Sequence, residues 1–161
     1  MPEAPNLIRR FHAGESNAFA ELVSTHQDDL YTLCLRAVGL DKAEALAETV
    51  LLAAHQALHR LDPDTHLYNW LMQLTVEHIQ ATSPLECGPN DGLEEGSATI
   101  QTLLDDLDLH FRVAVIMRDI IRLPESQIAE ILELPLGTVR SRIHRARLTM
   151  ARGIAPIMDN V

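Results

Sequence analysis

Apolar residues recur at three- and four-residue steps through most of this chain, which is the spacing that places them on one face of an α-helix. In the first half this spacing predicts three helices. The first runs from a cap at Ser16 to a stop at Gly39, the second begins at a capping Asp41, and the third occupies residues 67–82 after Pro63. No segment alternates apolar and polar residues as a half-buried strand does, so the pattern predicts an all-α fold.

The periodicity stops between residues 83 and 97. This segment holds two Pro, three Gly and four acidic residues, a composition that favours a solvated, flexible linker. We therefore predict two small helical domains, 1–82 and 98–161, joined by an acidic linker at 83–97. Each domain is small enough to be only marginally stable alone, so we expect the two to pack on each other or on a partner.

The second half begins with helices expected near residues 98–107 and 109–121. Two helices then follow with a short turn at Glu133–Pro135 between them. The first starts at Pro124, because the missing N–H of proline costs nothing at the first position of a helix. The second spans residues 137–150, because Pro135 disfavours helical geometry in the residue before it and so ends the preceding helix.

The 137–150 helix is amphipathic. At 100° per residue its apolar side chains fall on one stripe that would pack against the preceding helix. That stripe consists of Val139, Ile143, Ala146 and Met150. Two helices joined by a tight turn, with the second one polar on its outer face, predict a helix-turn-helix DNA-binding unit.

Charge is distributed unevenly along the chain. The whole chain has a formal net charge of −10, yet residues 136–161 carry five Arg and only one acidic residue, Asp159. A basic helix in an acidic molecule indicates a confined DNA contact, with an acidic surface left for another partner. The alternative is a solvated basic helix in an ordinary bundle, which the Pro-containing turn before the helix disfavours.

The outer faces of the 137–150 helix carry the predicted DNA contacts. A recognition helix places its N-terminal residues at base edges in the major groove, while flanking Arg side chains bind phosphates. Arg142 is the first candidate for a bidentate contact to guanine, and Arg145, Arg147 and Arg152 suit phosphates. The predicted set is Thr138, Arg140, Ser141, Arg142, His144, Arg145, Arg147 and Arg152.

Other chemistry is weakly represented. His55 and His59 lie one helical turn apart, with His66 or Cys34 as further candidate ligands, but no second close pair completes a metal site, so we expect none. No phosphate loop, nucleophile motif or paired-carboxylate motif is present in the sequence, and we expect neither an enzyme nor a cofactor. Without a signal-peptide pattern or an apolar run of about 20 residues, we expect a cytoplasmic protein with no membrane contact.

Two stretches resemble a known family. Residues 123–132 (LPESQIAEIL) and 137–147 (GTVRSRIHRAR) are similar to region 4 of sigma-70 family factors of the extracytoplasmic-function (ECF) group. The first half resembles region 2 in layout, with Ala43-Glu44 at the start of one helix and Asn69-Trp70-Leu71 in the next. The resemblance implies two helical domains and promoter DNA, core RNA polymerase and an anti-sigma factor as partners.

The resemblance also implies a role for each half. Region 2 docks on polymerase, here through Glu44, Leu46 and Glu48, and melts the −10 element, whereas region 4 reads the −35 element. Residues 67–82, where the family melts DNA, contain no Lys or Arg. The alternative is therefore a sigma-like regulator that binds DNA or an anti-sigma factor without melting promoters.

Overall fold

The protein consists of α-helices and turns throughout residues 4–82 and 95–158, the residues that the structure, a computed structural model, describes. Side chains are described within 7–82 and 100–154. The predicted all-α class is confirmed. The helices are α1 (Ala4–His12), α2 (Asn17–Val38), α3 (Leu40–Leu58), α4 (Leu67–Ala81), α5 (Glu95–Asp105), α6 (Leu109–Val115, continued by a π turn at Ile116–Ile120), α7 (Glu125–Leu132) and α8 (Leu136–Met158).

Helix α1 lies outside the predicted elements. It buries Leu7, Ile8 and Phe11 in a small hydrophobic cluster with residues of α2, α3 and α4. A nine-residue helix is too short to be stable alone, so this tertiary burial holds it in place.

Gly39 makes the sharp connection between α2 and α3. Its φ of 90° is in the left-handed region that favours glycine, and its N–H donates to the carbonyl of Leu35 at 3.0 Å. Two predicted caps are corrected. Ser16 makes no side-chain capping bond, and α3 begins at Leu40, so that Asp41 lies inside the first turn, where its charge favours the positive end of the helix dipole.

Helix α5 begins at Glu95, three residues inside the predicted linker. The helix expected near residues 98–107 therefore starts three residues earlier than predicted. The rest of the predicted linker, 83–94, lies outside the described residues, and the division into two domains stays a prediction. Helix α6 ends in a π turn, in which the N–H of Ile121 donates to the carbonyl of Ile116. The sequence pattern predicts only a continuous helix here.

The largest hydrophobic cluster draws side chains from both halves of the chain. Leu30, Cys34 and Ile79 of the first half share it with Ile116 and Ile143 of the second. Burial of apolar surface is the main favourable contribution to packing. The two halves therefore lie against each other through a common core.

Candidate nucleic-acid interface

A left-handed residue forms the turn between α7 and α8. Glu133 ends α7 with φ 54° and ψ 45°, and the N–H of Leu134 then donates to the carbonyl of Ala129 at 3.0 Å. This geometry gives hydrogen-bond donors to carbonyl groups in the last turn of α7 that would otherwise have none. The chain reverses within a few residues, and α8 begins at Leu136.

The inner stripe of α8 packs as predicted. Val139, Ile143 and Ala146 are buried, and Met150 is half-buried against the same cluster. Ile128 and Ile131 of α7 are buried in that cluster too. Their packing holds α8 against α7 and turns the remaining faces of α8 away from the core.

One flank of α8 is held by carboxylates. The Nε of Arg140 donates to Glu125 Oε2 at 2.8 Å, and the Nε of Arg147 donates to Asp119 Oδ2 at 2.9 Å. The hydrogen bond from Arg140 lowers the pKa of Glu125, and the bond to Asp119 raises the pKa of Arg147. Arg140 and Arg147, two of the predicted DNA contacts, therefore each have an intramolecular carboxylate bound to the guanidinium.

The outward face of α8 is open. Ser141, His144, Arg145 and Arg152 are exposed. Neither Arg145 nor Arg152 forms an ion pair within the part of the chain that the structure describes. An exposed row of donors on the second helix is the surface that a recognition helix presents to the major groove.

Thr138 and Arg142 occupy the other flank and are half-buried. Arg142 lines a cleft of about 310 Å³ whose opposite wall is α4, with Gln73, Val76 and Glu77. The predicted base-reading residue therefore faces the first half of the chain and not open solvent.

The predicted polymerase contacts lie on α3. Glu44 and Glu48 are exposed, as predicted for a docking surface. Leu46 is only 8% exposed and packs in the largest hydrophobic cluster, so any contact it makes with polymerase would be small, and its assignment stays a prediction. Leu52, one turn beyond Glu48, is 62% exposed; its place in a run of apolar residues gives no sign of that exposure.

The aromatic side chains of α4 have partners within the chain. The hydroxyl of Tyr68 donates to Asp29 Oδ2 at 2.8 Å, and the ring lies edge-on to His26. Burial and this hydrogen bond raise the pKa of Tyr68. Trp70 is half-buried and packs on both hydrophobic clusters.

The histidines of α3 pack against aromatic rings. The His59 ring lies 4.6 Å from that of Phe11, and the His55 ring lies 4.8 Å from that of Phe19. Among the residues with a described position, no three His, Cys, Asp or Glu side chains come together as metal ligands. Within the same residues, no helix is both long and apolar enough to cross a membrane.

Residues 97–150 match the family described as Sigma-70, region 4. The chain is also 28% identical to the ECF RNA polymerase sigma factor SigW of Bacillus subtilis (strain 168), in an alignment that covers 87% of this chain and 90% of SigW. Over most of its length the chain is therefore similar to an ECF sigma factor of the sigma-70 family.

A second ECF relative is the ECF RNA polymerase sigma-E factor of Escherichia coli (strain K12). It is 26% identical to this chain, in an alignment that covers 94% of each protein. The region 4 match includes every predicted DNA contact on α8 except Arg152, which lies two residues beyond it.

Two solved structures share the fold. CnrH, solved in complex with the cytosolic domain of CnrY, gives a TM-score of 0.83 at 21% identity, covering 95% of this chain and 97% of CnrH. The sigma factor RpoE of Bartonella quintana, solved with the anti-sigma factor NepR, gives a TM-score of 0.68 at 18% identity, covering 86% and 98% of the two chains. These likenesses establish the helical fold.

Asp119 and Glu125 are the functional candidates that sequence reasoning missed. They lie 28 and 15 residues from their Arg partners, and nothing in helical periodicity links residues so far apart. The only available signal was the acidic residue within each helix that packs on α8.

Replacing Asp119 with Asn is expected to strengthen binding to all duplexes about two- to fivefold, the equivalent of a surface ion pair. The change frees Arg147 for a phosphate, so the salt dependence should steepen by up to about one counterion. Fluorescence anisotropy over a range of salt concentrations measures both effects. Arg147→Ala is the matched control and should weaken binding. If Asp119→Asn binds duplexes more weakly than the wild type, the ion pair instead orients Arg147 for its contact with DNA.

Proposed function

We propose that this chain is a transcription initiation factor of the ECF type that binds core RNA polymerase and recognises the −35 element of a set of promoters through α7 and α8. The exposed, arginine-bearing face of α8 within the region 4 match carries the proposal. Its full-length relatives are ECF RNA polymerase sigma factors. We also infer that it acts in the cytoplasm and has no catalytic residues.

Each half has a separate task in this proposal. Residues 98–161 act as the region 4-like domain and residues 1–82 as the region 2-like domain, with the acidic segment 83–97 between them. In the region 4-like domain, Thr138, Ser141 and Arg142 lie near the N-terminus of α8, where a recognition helix meets base edges. The side chains of Arg140, His144, Arg145, Arg147 and Arg152 suit the two phosphate backbones.

The region 2-like half supplies the polymerase contact. Glu44 and Glu48 are one turn apart and exposed on α3, so they present two negative charges on one face. Charge pairs at an interface mainly set the orientation and rate of association. We therefore assign the two acids to docking on a basic surface of core polymerase.

Glu48→Lys is expected to slow association with core polymerase about three- to tenfold at low ionic strength, since reversing a charge weakens electrostatic steering. Surface plasmon resonance with immobilised core enzyme measures the rate. Asp106→Lys makes the same charge change on the exposed surface of the other half and serves as the control. Equal slowing by both variants would contradict the docking assignment, and no association of the wild-type chain would overturn the initiation-factor proposal.

A second candidate function is favoured by α4. From residue 67 to residue 82 the chain has no Lys or Arg, and the hydroxyl of Tyr68 is bound to Asp29. A regulator that binds DNA or an anti-sigma factor without opening promoters needs neither basic residues nor a free aromatic side chain on this helix. Both related structures were solved with a binding protein, CnrY or NepR. Retention of core polymerase on the immobilised chain separates the two candidates, because only an initiation factor requires it.

A further inference from the structure

The first half and the helix-turn-helix are joined by a polar contact between α4 and α7. Gln127 Nε2 donates to Asn69 Oδ1 at 2.9 Å, and Asn69 Nδ2 donates to Glu130 Oε2 at 2.9 Å. One amide therefore uses both its acceptor and its donor to hold α7. Since these side chains are half-buried or exposed, water competes with both bonds.

A second contact joins the halves on the side of α2. Arg112 is 4% exposed, and its Nη1 donates to the carbonyl of Ala37 at 2.6 Å, in the last turn of α2. Its Nη2 donates to the carbonyls of Asp105 and Leu107. The negative end of a helix dipole favours a cation, so Arg112 stabilises the ends of α2 and α5 together.

The cleft that contains Arg142 is lined by residues of both halves of the chain. Glu77 of α4 and Glu133 of the turn line it with Arg142. The cleft therefore places acidic groups beside the flank of α8 that is predicted to contact base edges. At about 310 Å³ it has the size of a small-molecule pocket. A duplex must instead surround the recognition helix with a major groove about 12 Å wide and a sugar–phosphate backbone on each side.

We propose that the observed arrangement is a self-masked state, in which α4 covers the Arg142 flank of α8 and the α4–α7 contact through Asn69 holds it closed. This inference rests on the proposed DNA-reading function. In the closed state the outward residues of α8 meet phosphates weakly, but Arg142 and Thr138 do not reach base edges. Release of α4 from α7 opens the flank and completes the reading surface.

The geometry of Asn69 supplies an isosteric test. Asn69→Asp keeps the acceptor for Gln127 but replaces the donor to Glu130 with a carboxylate oxygen, so two negative charges meet at hydrogen-bond distance. The variant should open. Adding Glu130→Gln places an amide donor opposite the new carboxylate, returns the net charge to that of the wild type and should close the chain again.

Opening is measured with a donor and acceptor dye on Leu52→Cys of α3 and Ile100→Cys of α5, in a full-length chain with Cys87→Ser. Both label sites are exposed and lie outside the predicted DNA contacts, while Cys34 is buried. DNA affinity is measured by anisotropy with a duplex selected from a random-sequence library by the wild-type chain and core polymerase. A random-sequence duplex is the reference for phosphate contacts.

We expect Asn69→Asp to lengthen the dye separation and to bind the selected duplex about tenfold more tightly, as expected when a binding-competent state rises from about 10% to most of the population. The gain should occur despite the added negative charge, should be absent on the random duplex, and should be reversed by Glu130→Gln in the double variant. Addition of the selected duplex should lengthen the separation in the wild type.

Two results would overturn the inference in different ways. If the wild type binds the selected duplex as tightly as Asn69→Asp and keeps its dye separation when bound, the closed arrangement does not mask the reading surface, although DNA reading stands. If Asn69→Asp opens the chain and no form prefers the selected duplex, the DNA-reading function itself is wrong, and masking fails with it.

Discussion

Arg142→Ala is expected to weaken binding to the selected −35 duplex by about 1–3 kcal/mol, the loss of one bidentate base contact. Binding to random duplexes should change little, so the ratio of specific to non-specific affinity should fall. Arg142 forms no ion pair within the residues whose positions are known. Its removal therefore leaves no buried charge without a partner, and the loss of affinity can be assigned to DNA.

The comparison with Arg147→Ala makes this prediction specific. Arg147 is on the opposite flank of α8 and bound to Asp119, so its loss should weaken all duplexes alike and make the salt dependence shallower. Both variants are best measured in the Asn69→Asp background, where α4 is released. If Arg142→Ala and Arg147→Ala reduce specific and random binding equally, the assignment of base and phosphate contacts is wrong.

Promoter melting is the second place where a large effect is expected. On linear DNA with purified core polymerase and no other factor, we expect little permanganate reactivity of −10 thymines. Holding a melted strand takes basic groups along the backbone and planar side chains for unstacked bases, each stacked base contributing about 1–3 kcal/mol. Helix α4 has no Lys or Arg, and the hydroxyl of Tyr68 is bound to Asp29.

The chain offers a matched gain-of-function variant for this prediction. Gln73 and Glu77 lie one turn apart on α4 and line the same cleft. Gln73→Arg combined with Glu77→Asn should raise thymine reactivity severalfold, because it adds one cation and removes one anion next to the strand. Negative supercoiling should raise it for both forms. Strong reactivity of the wild type on linear DNA would show that α4 melts DNA without basic residues.

The helix-turn-helix could be predicted from sequence because its determinants are local. Val139, Ile143 and Ala146 repeat at helical spacing, and Pro135 interrupts the helical pattern directly before them. A stripe and a helix breaker act within a few residues of each other. For the same reason the outward direction of Ser141 and Arg145 followed from counting alone, and the structure has both exposed.

The features that sequence reasoning missed depend on contacts between distant segments. The direction of Arg142 toward α4 and the pairing of Arg147 with Asp119 are set by packing between helices. Helix α1 was missed because nine residues give too few repeats, and α5 was placed too late because Glu95 and Gly96 resemble the linker in composition. Periodicity identifies a helix but not its neighbours.

The hydrophobic cluster shared by the two halves has a consequence for the lifetime of the protein in the cell. In the proposed open state, side chains of this cluster such as Cys34, Ile79 and Ile116 become more exposed to solvent. Contiguous exposed apolar surface promotes aggregation. Each half thus acts as an intramolecular chaperone for the other. A chain whose halves stay separated without a bound partner is a target for proteases. The amount of available partner therefore limits the abundance of the open form.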